Sequence, residues 1–275
     1  TTLVNGRMVI LGDPGLGKTT VAQLMGQVPG LSIDDLRASM VHGHPQLTIA
    51  DLFGNMDMAA YREGKIDVLW RRMTETWFRF VDEFNRIPTK TQSALLTAVA
   101  DNYVELFNQC VKLPQGPWFF TANEANGGGT YQVIAALWDR MDAAVRALPV
   151  NAYHLIEAGE IDNTAPLPEL AYTPQELQAI ARHIEGMSLS TEAQAQLTYF
   201  FSQLNAAQQA SQAPERRYKS NVGEGGKRGD ALFAGGHDDP AEYIGAQIEN
   251  TVGTRIYNSI LTYARALAWF REHRY

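Results

Sequence analysis

The chain has 275 residues, is 45% hydrophobic, and carries a net charge of −7 from 23 basic and 30 acidic side chains. That length suits one large domain or two ordinary ones, with enough core to fold without staples. The acidic balance gives no bulk electrostatic case for nucleic acid or an anionic membrane, and no apolar run is long enough to predict a transmembrane helix.

Cys110 is the only cysteine, so no intramolecular disulfide is expected and a reducing cytoplasm is the predicted compartment. The start, Thr1-Thr2-Leu3, lacks Met and resembles no signal peptide, which predicts a chain trimmed at its N-terminus.

Met8 to Leu11 reads as a buried strand. It runs into Gly12-Asp13-Pro14-Gly15-Leu16-Gly17-Lys18-Thr19, which fits the phosphate-binding pattern G-x-x-x-x-G-K-[ST]. Thr20 to Met25 then reads as a helix start with Val21, Leu24 and Met25 on one face. Strand, loop and helix in this order give the pattern its meaning. Glycines let backbone N–H groups converge on one concavity, where the helix N-terminus adds positive potential. Gly12 through Gly17, with Lys18, Thr19 and Thr20, are therefore the candidate nucleotide-binding residues. Lys18 is placed to reach the outer phosphates, and the Thr19 hydroxyl is a hard oxygen ligand for Mg²⁺.

Leu31 to Leu36 is expected as a short second strand and Val41 to Pro45 as a loop. His42 and His44 alternate there. They read as metal ligands or as two solvated histidines, the second because no further Cys or His lies nearby. Thr48 to Gly54 predicts a short turn or helix closed by Gly54, and residues 55–69 carry no clear signal.

Trp77 to Asp82-Glu83 is an apolar run ending in two adjacent carboxylates. At the end of a buried strand this pair suits nucleotide hydrolysis, Asp82 holding Mg²⁺ or its water shell and Glu83 deprotonating the attacking water. Arg79 interrupts the run and is expected to point to a polar edge. Thr89 is expected to cap a helix through Asp101 with Leu95, Leu96 and Val99 as its stripe. Two short strands, Val104–Phe107 and Cys110–Leu113, are predicted to turn at Asn108-Gln109. Trp118 to Ala122 is another buried strand, ending at Asn123. Ligands bind beyond the carboxyl ends of such strands, so Asn123 is expected near Lys18 and Asp82. Val133 to Met141 reads as helix and Val145 to Leu148 as a last strand.

Alternating strands and helices over residues 8–150 predict an α/β domain with a parallel sheet. After that, strand signals end. Thr173, Pro174 and Glu176 start a helix to about Glu185, and further helices are predicted over Thr191–Ala210, Pro240–Asn250 and Thr254–His273. The last has Ile256, Ile260, Leu261, Ala264, Leu267 and Ala268 on one side. Residues 211–239 read as a long mobile loop whose basic cluster from Arg216 to Arg228 is either solvated or touches a phosphate or acidic partner. The expected organisation is a nucleotide-binding domain, 1–150, and a smaller all-helical lid, 151–275.

The run Asp82-Glu83-Phe84-Asn85-Arg86, followed by Pro88-Thr89-Lys90-Thr91-Gln92-Ser93-Ala94-Leu95-Leu96, resembles the signature of MoxR-type AAA+ ATPases, D-E-I-N-R before P-K-T-Q-S-A-L-L. Leu47 to Gly54 resembles the loop before that family's insert. Asn123, Gly129-Thr130-Tyr131 and Asp139-Arg140 follow at a similar spacing, and Gly253-Thr254-Arg255 with Ala264 to Ala268 resembles its lid helix. The resemblance implies that Lys18 and Thr19 hold phosphates and magnesium, Asp82 is the magnesium-side acid and Glu83 the base. It further implies that Asn123 is the first sensor, Arg140 the arginine finger on a neighbouring subunit's nucleotide, and Arg255 the second sensor. Departures are Glu124 in place of proline, Gly253-Thr254 before Arg255, Phe84 for an aliphatic residue, and Trp138 for leucine.

From its position, Arg140 is not obviously within reach of its own phosphate loop; it acts in trans or pairs with Asp139 or Asp142. Arg255 reads either as a solvated helix start or as a partner for an anion such as ATP, since a cation is unfavourable at that end of a helix. The function implied is ATP hydrolysis in a homo-oligomeric ring, a hexamer, driving chaperone-like work on a protein client. A von Willebrand factor A domain protein is the implied partner; no membrane is expected and nucleic acid is disfavoured. The alternatives are a nucleotide-gated assembly scaffold with slow hydrolysis and a nucleic-acid motor.

Overall fold

The computed structural model describes residues 1–123, 130–149, 172–211 and 254–272. Its elements are β1 (Arg7–Gly12), α1 (Lys18–Gln27), α2 (Ile33–Ser39), β2 (Val41–His42), α3 (Ile49–Phe53), β3 (Gly54–Met56), α4 (Met58–Arg62), β4 (Val68–Trp70), α5 (Arg72–Glu75) and β5 (Arg79–Asp82). After a 3₁₀ turn over Phe84–Arg86 come α6 (Thr89–Asp101), β6 (Tyr103–Leu106), β7 (Gln109–Lys112), β8 (Trp118–Asn123), α7 (Ala135–Trp138), β9 (Ala143–Arg146), α8 (Pro174–Gly186), α9 (Thr191–Ser211) and α10 (Thr254–Glu272).

Five strands form one sheet in the order β2-β5-β8-β1-β9, and every pairing in it is parallel. Parallel neighbours need crossovers, so helices cover both faces, and the inner strand β5 is buried along its whole length. Val9, Val81 and Phe120 pack on one face with Leu95 and Val99 of α6. Phe80 and Phe119 pack on the other with Ala22 of α1 and Leu36 of α2. Burial of each such phenylalanine stabilises the sheet by roughly 1.5–3 kcal/mol. All five carboxyl ends lie on one edge, with Gly12 level with Asn123 and His42 level with Asp82.

The phase of α1 differs from its apolar pattern. Val21, Leu24 and Met25 face outward, while Lys18, Ala22 and Gly26 are the buried positions. The phosphate loop decides this. Lys18 must turn into the loop, and residues four and eight positions on then share its face. The small Ala22 and Gly26 allow close packing, since a Cβ on Gly26 would collide with Leu36.

Residues 33–39 are helix, not the expected strand. Ser32 caps α2 by accepting from the Asp35 N–H at 3.0 Å, and Asp34 and Asp35 in its first turn suit the helix dipole. The second strand is instead Val41–His42, inside the expected loop. Thr48 and Asp51 form a reciprocal capping box on α3. The bonds from Thr48 hold the Asp51 carboxyl below its ordinary pKa. Residues 54–70 form an antiparallel pair, β3 with β4, with α4 between them.

Arg79 does not reach a polar edge; it is fully buried. Its guanidinium donates to the Met73 carbonyl at 3.3 Å and the Pro114 carbonyl at 2.8 Å, and lies 5.1 Å from the Trp118 ring centre. Burial lowers its pKa to about 10.

Smaller differences have local causes. Pro88, not Thr89, is the capping residue of α6. The β6–β7 hairpin turns at Phe107-Asn108, both at positive φ (49° and 61°), as a tight twisted hairpin requires. The helix expected over 133–141 is only Ala135–Trp138, and the last strand begins earlier, at Ala143. At α8 the expected cap is present, Glu176 accepting from the Thr173 N–H at 2.6 Å.

The chain divides into a first unit, Thr1–Glu185 with Glu272–Tyr275, and a second from Gly186 to Arg271. The described residues of the second are α9, α10 and the lead-in to α9. Within it Phe201 packs on Tyr257, ring centres 5.0 Å apart. On α10 the buried position is Trp269. Of the stripe expected there, Ile256, Ala264, Leu267 and Ala268 are exposed. The glycine-rich stretch after Ser211 and the helix expected over Pro240–Asn250 lie outside the described residues. No described helix is long and apolar enough to cross a membrane.

Candidate active site

The phosphate loop joins the central strand β1 to the ten-residue α1. Gly15 and Gly17 sit at φ 84° and 70°, where a side chain would be strained. Asp13, Pro14 and Thr20 are exposed around the loop and Leu16 is half-buried. Lys18 is 7% exposed. It donates to the carbonyls of Gly12 at 2.8 Å and Asp13 at 2.7 Å, and to Asn123 Oδ1 at 2.9 Å. These acceptors are neutral, so its charge is available to an anion. A polyphosphate fits this cradle: the converging N–H groups of a helix N-terminus and a buried ammonium are what it requires.

Asp82, the last residue of β5, is nearly buried beside the loop. The Thr19 hydroxyl donates to both its oxygens, at 3.1 and 3.2 Å. A hydroxyl and a carboxylate side by side are hard oxygen donors, which fit Mg²⁺ in a site completed by phosphate and water oxygens. The Thr121 hydroxyl, two residues before Asn123 on β8, donates to Asp82 Oδ1 and accepts the Glu83 N–H at 2.9 Å. His42 Nδ1 lies 3.5 Å from the other Asp82 oxygen. No cluster of three or more metal-ligating side chains is present among the described residues, so His42 and His44 form no site of that kind.

Glu83 follows at φ 49°, in the left-handed region. Its carboxylate accepts from Asn123 Nδ2 at 2.8 Å through Oε1 and from Arg86 at 2.8 Å through Oε2. Gly43 supports this bend from the neighbouring strand end. Its N–H donates to the Asp82 carbonyl at 2.7 Å, and a Cβ there would collide with the Glu83 carbonyl. Asn85 donates to the Asn123 carbonyl at 2.9 Å and its own carbonyl takes the Tyr131 N–H at 2.7 Å.

Lys18, Thr19, Asp82, Glu83 and Asn123 are thus brought together at the carboxyl edge of the sheet. Arg140 is not. It follows α7 and pairs with Asp139 at 3.4 Å. Two residues on, Asp142 accepts the Arg7 N–H at the opposite end of β1 from the phosphate loop. Arg255 is the second residue of α10, in the second unit. Sequence reasoning missed Thr121, Gly43, Arg86 and Asn85. Thr121 had a signal, since two residues along a strand it shares the Asn123 face, and Arg86 lay inside the resembling run. Gly43 had none.

A phosphate loop on the central strand, with an acidic pair and an asparagine on the next two strand ends, defines a P-loop ATPase of the AAA+ class. Residues 7–141 match the AAA domain family, dynein-related subfamily. The chain is 28% identical over 142 residues to Chaperone MoxR1 of Mycobacterium tuberculosis, covering 50% of this chain and 35% of that protein. A crystal structure from Cytophaga hutchinsonii, assigned as an ATPase, shares the fold at TM-score 0.65 and 20% identity, over 98% of this chain and 72% of its own. Over residues 7–141 the chain is thus similar to AAA-domain proteins, and over about half its length to a MoxR-type chaperone, of which it spans about a third.

Proposed function

We propose that this protein hydrolyses ATP with Mg²⁺ and uses the energy for chaperone-like work on a protein client. The observation that carries the reading is the joint placement of Lys18, Thr19, Asp82, Glu83 and Asn123 at one edge of the sheet. The loop N–H groups and Lys18 bind the β- and γ-phosphates. Thr19 and Asp82 would hold the metal, which would supply positive charge against the phosphates. Glu83 accepts a proton from the attacking water through a carboxylate oxygen. Asn123 stands between Lys18 and Glu83 and orients that water. Residues Gly12 to Thr20 make the nucleotide site, and the resemblance gives Arg255 the role of second sensor.

Arg140 lies at the far end of β1 from its own phosphate loop, so it acts on a neighbour's nucleotide. The working form is then a ring, by resemblance a hexamer. Its expected setting is the cytoplasm, with a von Willebrand factor A domain protein as the associated partner. The named chaperone relative supports the client role.

Glu83→Gln tests the hydrolase reading against a scaffold that only binds nucleotide. ATP binding should persist while turnover falls about a hundredfold, the size of a general-base effect. Unchanged turnover would reject Glu83 as the base.

A further inference from the structure

Glu83 is anchored at both ends. Its N–H is fixed by Thr121, and each oxygen of its carboxylate holds one donor, Asn123 on Oε1 and Arg86 on Oε2. A carboxylate oxygen accepts two hydrogen bonds, so each keeps a lone pair for water. Arg86 meets Glu83 twice, since its own N–H also donates to the Glu83 carbonyl at 2.8 Å. The Phe84–Arg86 turn sets this double contact, because its backbone bond brings the Arg86 side chain back over the carboxylate.

The two donors differ in what else they hold. Asn123 is shared with Lys18 through its carbonyl oxygen. A phosphate that draws Lys18 forward therefore acts on Asn123 as well. Arg86 holds the other oxygen without passing through Lys18. The ion pair is half-exposed, 38% for Arg86 and 34% for Glu83, and pairs of that kind add little stability. Their effect is on orientation.

We propose that Arg86 is a positioning residue for hydrolysis, fixing the plane of the Glu83 carboxylate toward the attacking water while Asn123 follows the nucleotide. This rests on the hydrolase reading above. Arg86→Ala should lower kcat about tenfold, as expected for loss of a hydrogen bond to a charged group. KM and the Kd for ATP should stay within about twofold, because Arg86 makes no contact in the phosphate cradle. Arg86→Lys, which keeps a cationic donor, should recover part of the loss.

The deciding measurement is single-turnover ATP hydrolysis by the full chain for Arg86→Ala, Glu83→Gln and the double variant. If Arg86 acts through Glu83, the double variant is no slower than Glu83→Gln. An additive loss, an unchanged or raised kcat in Arg86→Ala, or an equal loss in ATP binding would overturn the proposal. If Arg86→Ala does not fold, a folded Arg86→Lys whose rate falls by less than tenfold supports it, and one tenfold or more lower overturns it. Parental turnover in Glu83→Gln would instead reject the base assignment itself.

Discussion

Thr121 does at a single residue what the acidic pair cannot do alone. Its buried hydroxyl donates to Asp82 and accepts from the Glu83 N–H, so it sets both acids relative to β8. Thr121→Val keeps the shape and removes both bonds. It should destabilise the fold by roughly 1–3 kcal/mol, through a half-buried N–H left unpaired. The Mg²⁺ concentration for half-maximal turnover should rise about 10–100-fold, as when a metal ligand loses its supporting bond. Thermal unfolding and a Mg²⁺ titration of turnover measure the two effects separately; an unchanged Mg²⁺ requirement would mean that Thr19 alone positions Asp82.

At the level of the element, β5 carries the candidate acids at one end and a structural cation at the other. Arg79 ties its start to the Met73 and Pro114 carbonyls and stacks over Trp118 on β8. Truncating so large a buried side chain leaves a cavity and two carbonyls without these donors. Arg79→Ala should therefore cost at least about 3 kcal/mol of stability, read as a lower urea midpoint. Asp82 lies at the other end of the strand, so the folded fraction should still bind ATP. A midpoint equal to the parent's would show that the loop around Pro114 closes over the gap. Arg79 broke an apolar sequence pattern, and pattern alone assigned it to an edge. Its burial depends on carbonyls from residues 73 and 114, which no local reading of the strand supplies. Residues 33–39 show the converse, since their start signal, Ser32 with Asp34 and Asp35, was local and legible but an apolar reading outweighed it.

For the whole molecule, the arginine positions make assembly the natural test. β1 has six residues, so its ends lie about 17 Å apart at the usual strand rise. Arg140 neighbours the end far from the phosphate loop, and a side chain does not bridge that gap. If Arg140 stabilises transition-state charge, a second subunit presents it, with a contribution of roughly 10³–10⁵ in rate. Specific activity should then rise with protein concentration, and Arg140→Ala should bind ATP without turning it over. Activity flat with concentration and unaffected by Arg140→Ala would leave a monomeric ATPase and remove the ring.

The sequence by itself determined the phosphate loop, the strand leading into it, the acidic pair and the asparagine that closes β8. Each is a short contiguous signal, and a parallel sheet then carries the loop, the acidic pair and the asparagine to one edge by topology. Tertiary structure alone decided which face of α1 is buried, because Lys18 must point into the loop whatever the apolar residues favour. It alone placed Thr121 between the acids, Gly43 under the Glu83 carbonyl and Arg86 on the Glu83 carboxylate. Most of these contacts join residues 38–40 positions apart in the chain, a separation at which hydrophobic period and turn chemistry carry no information.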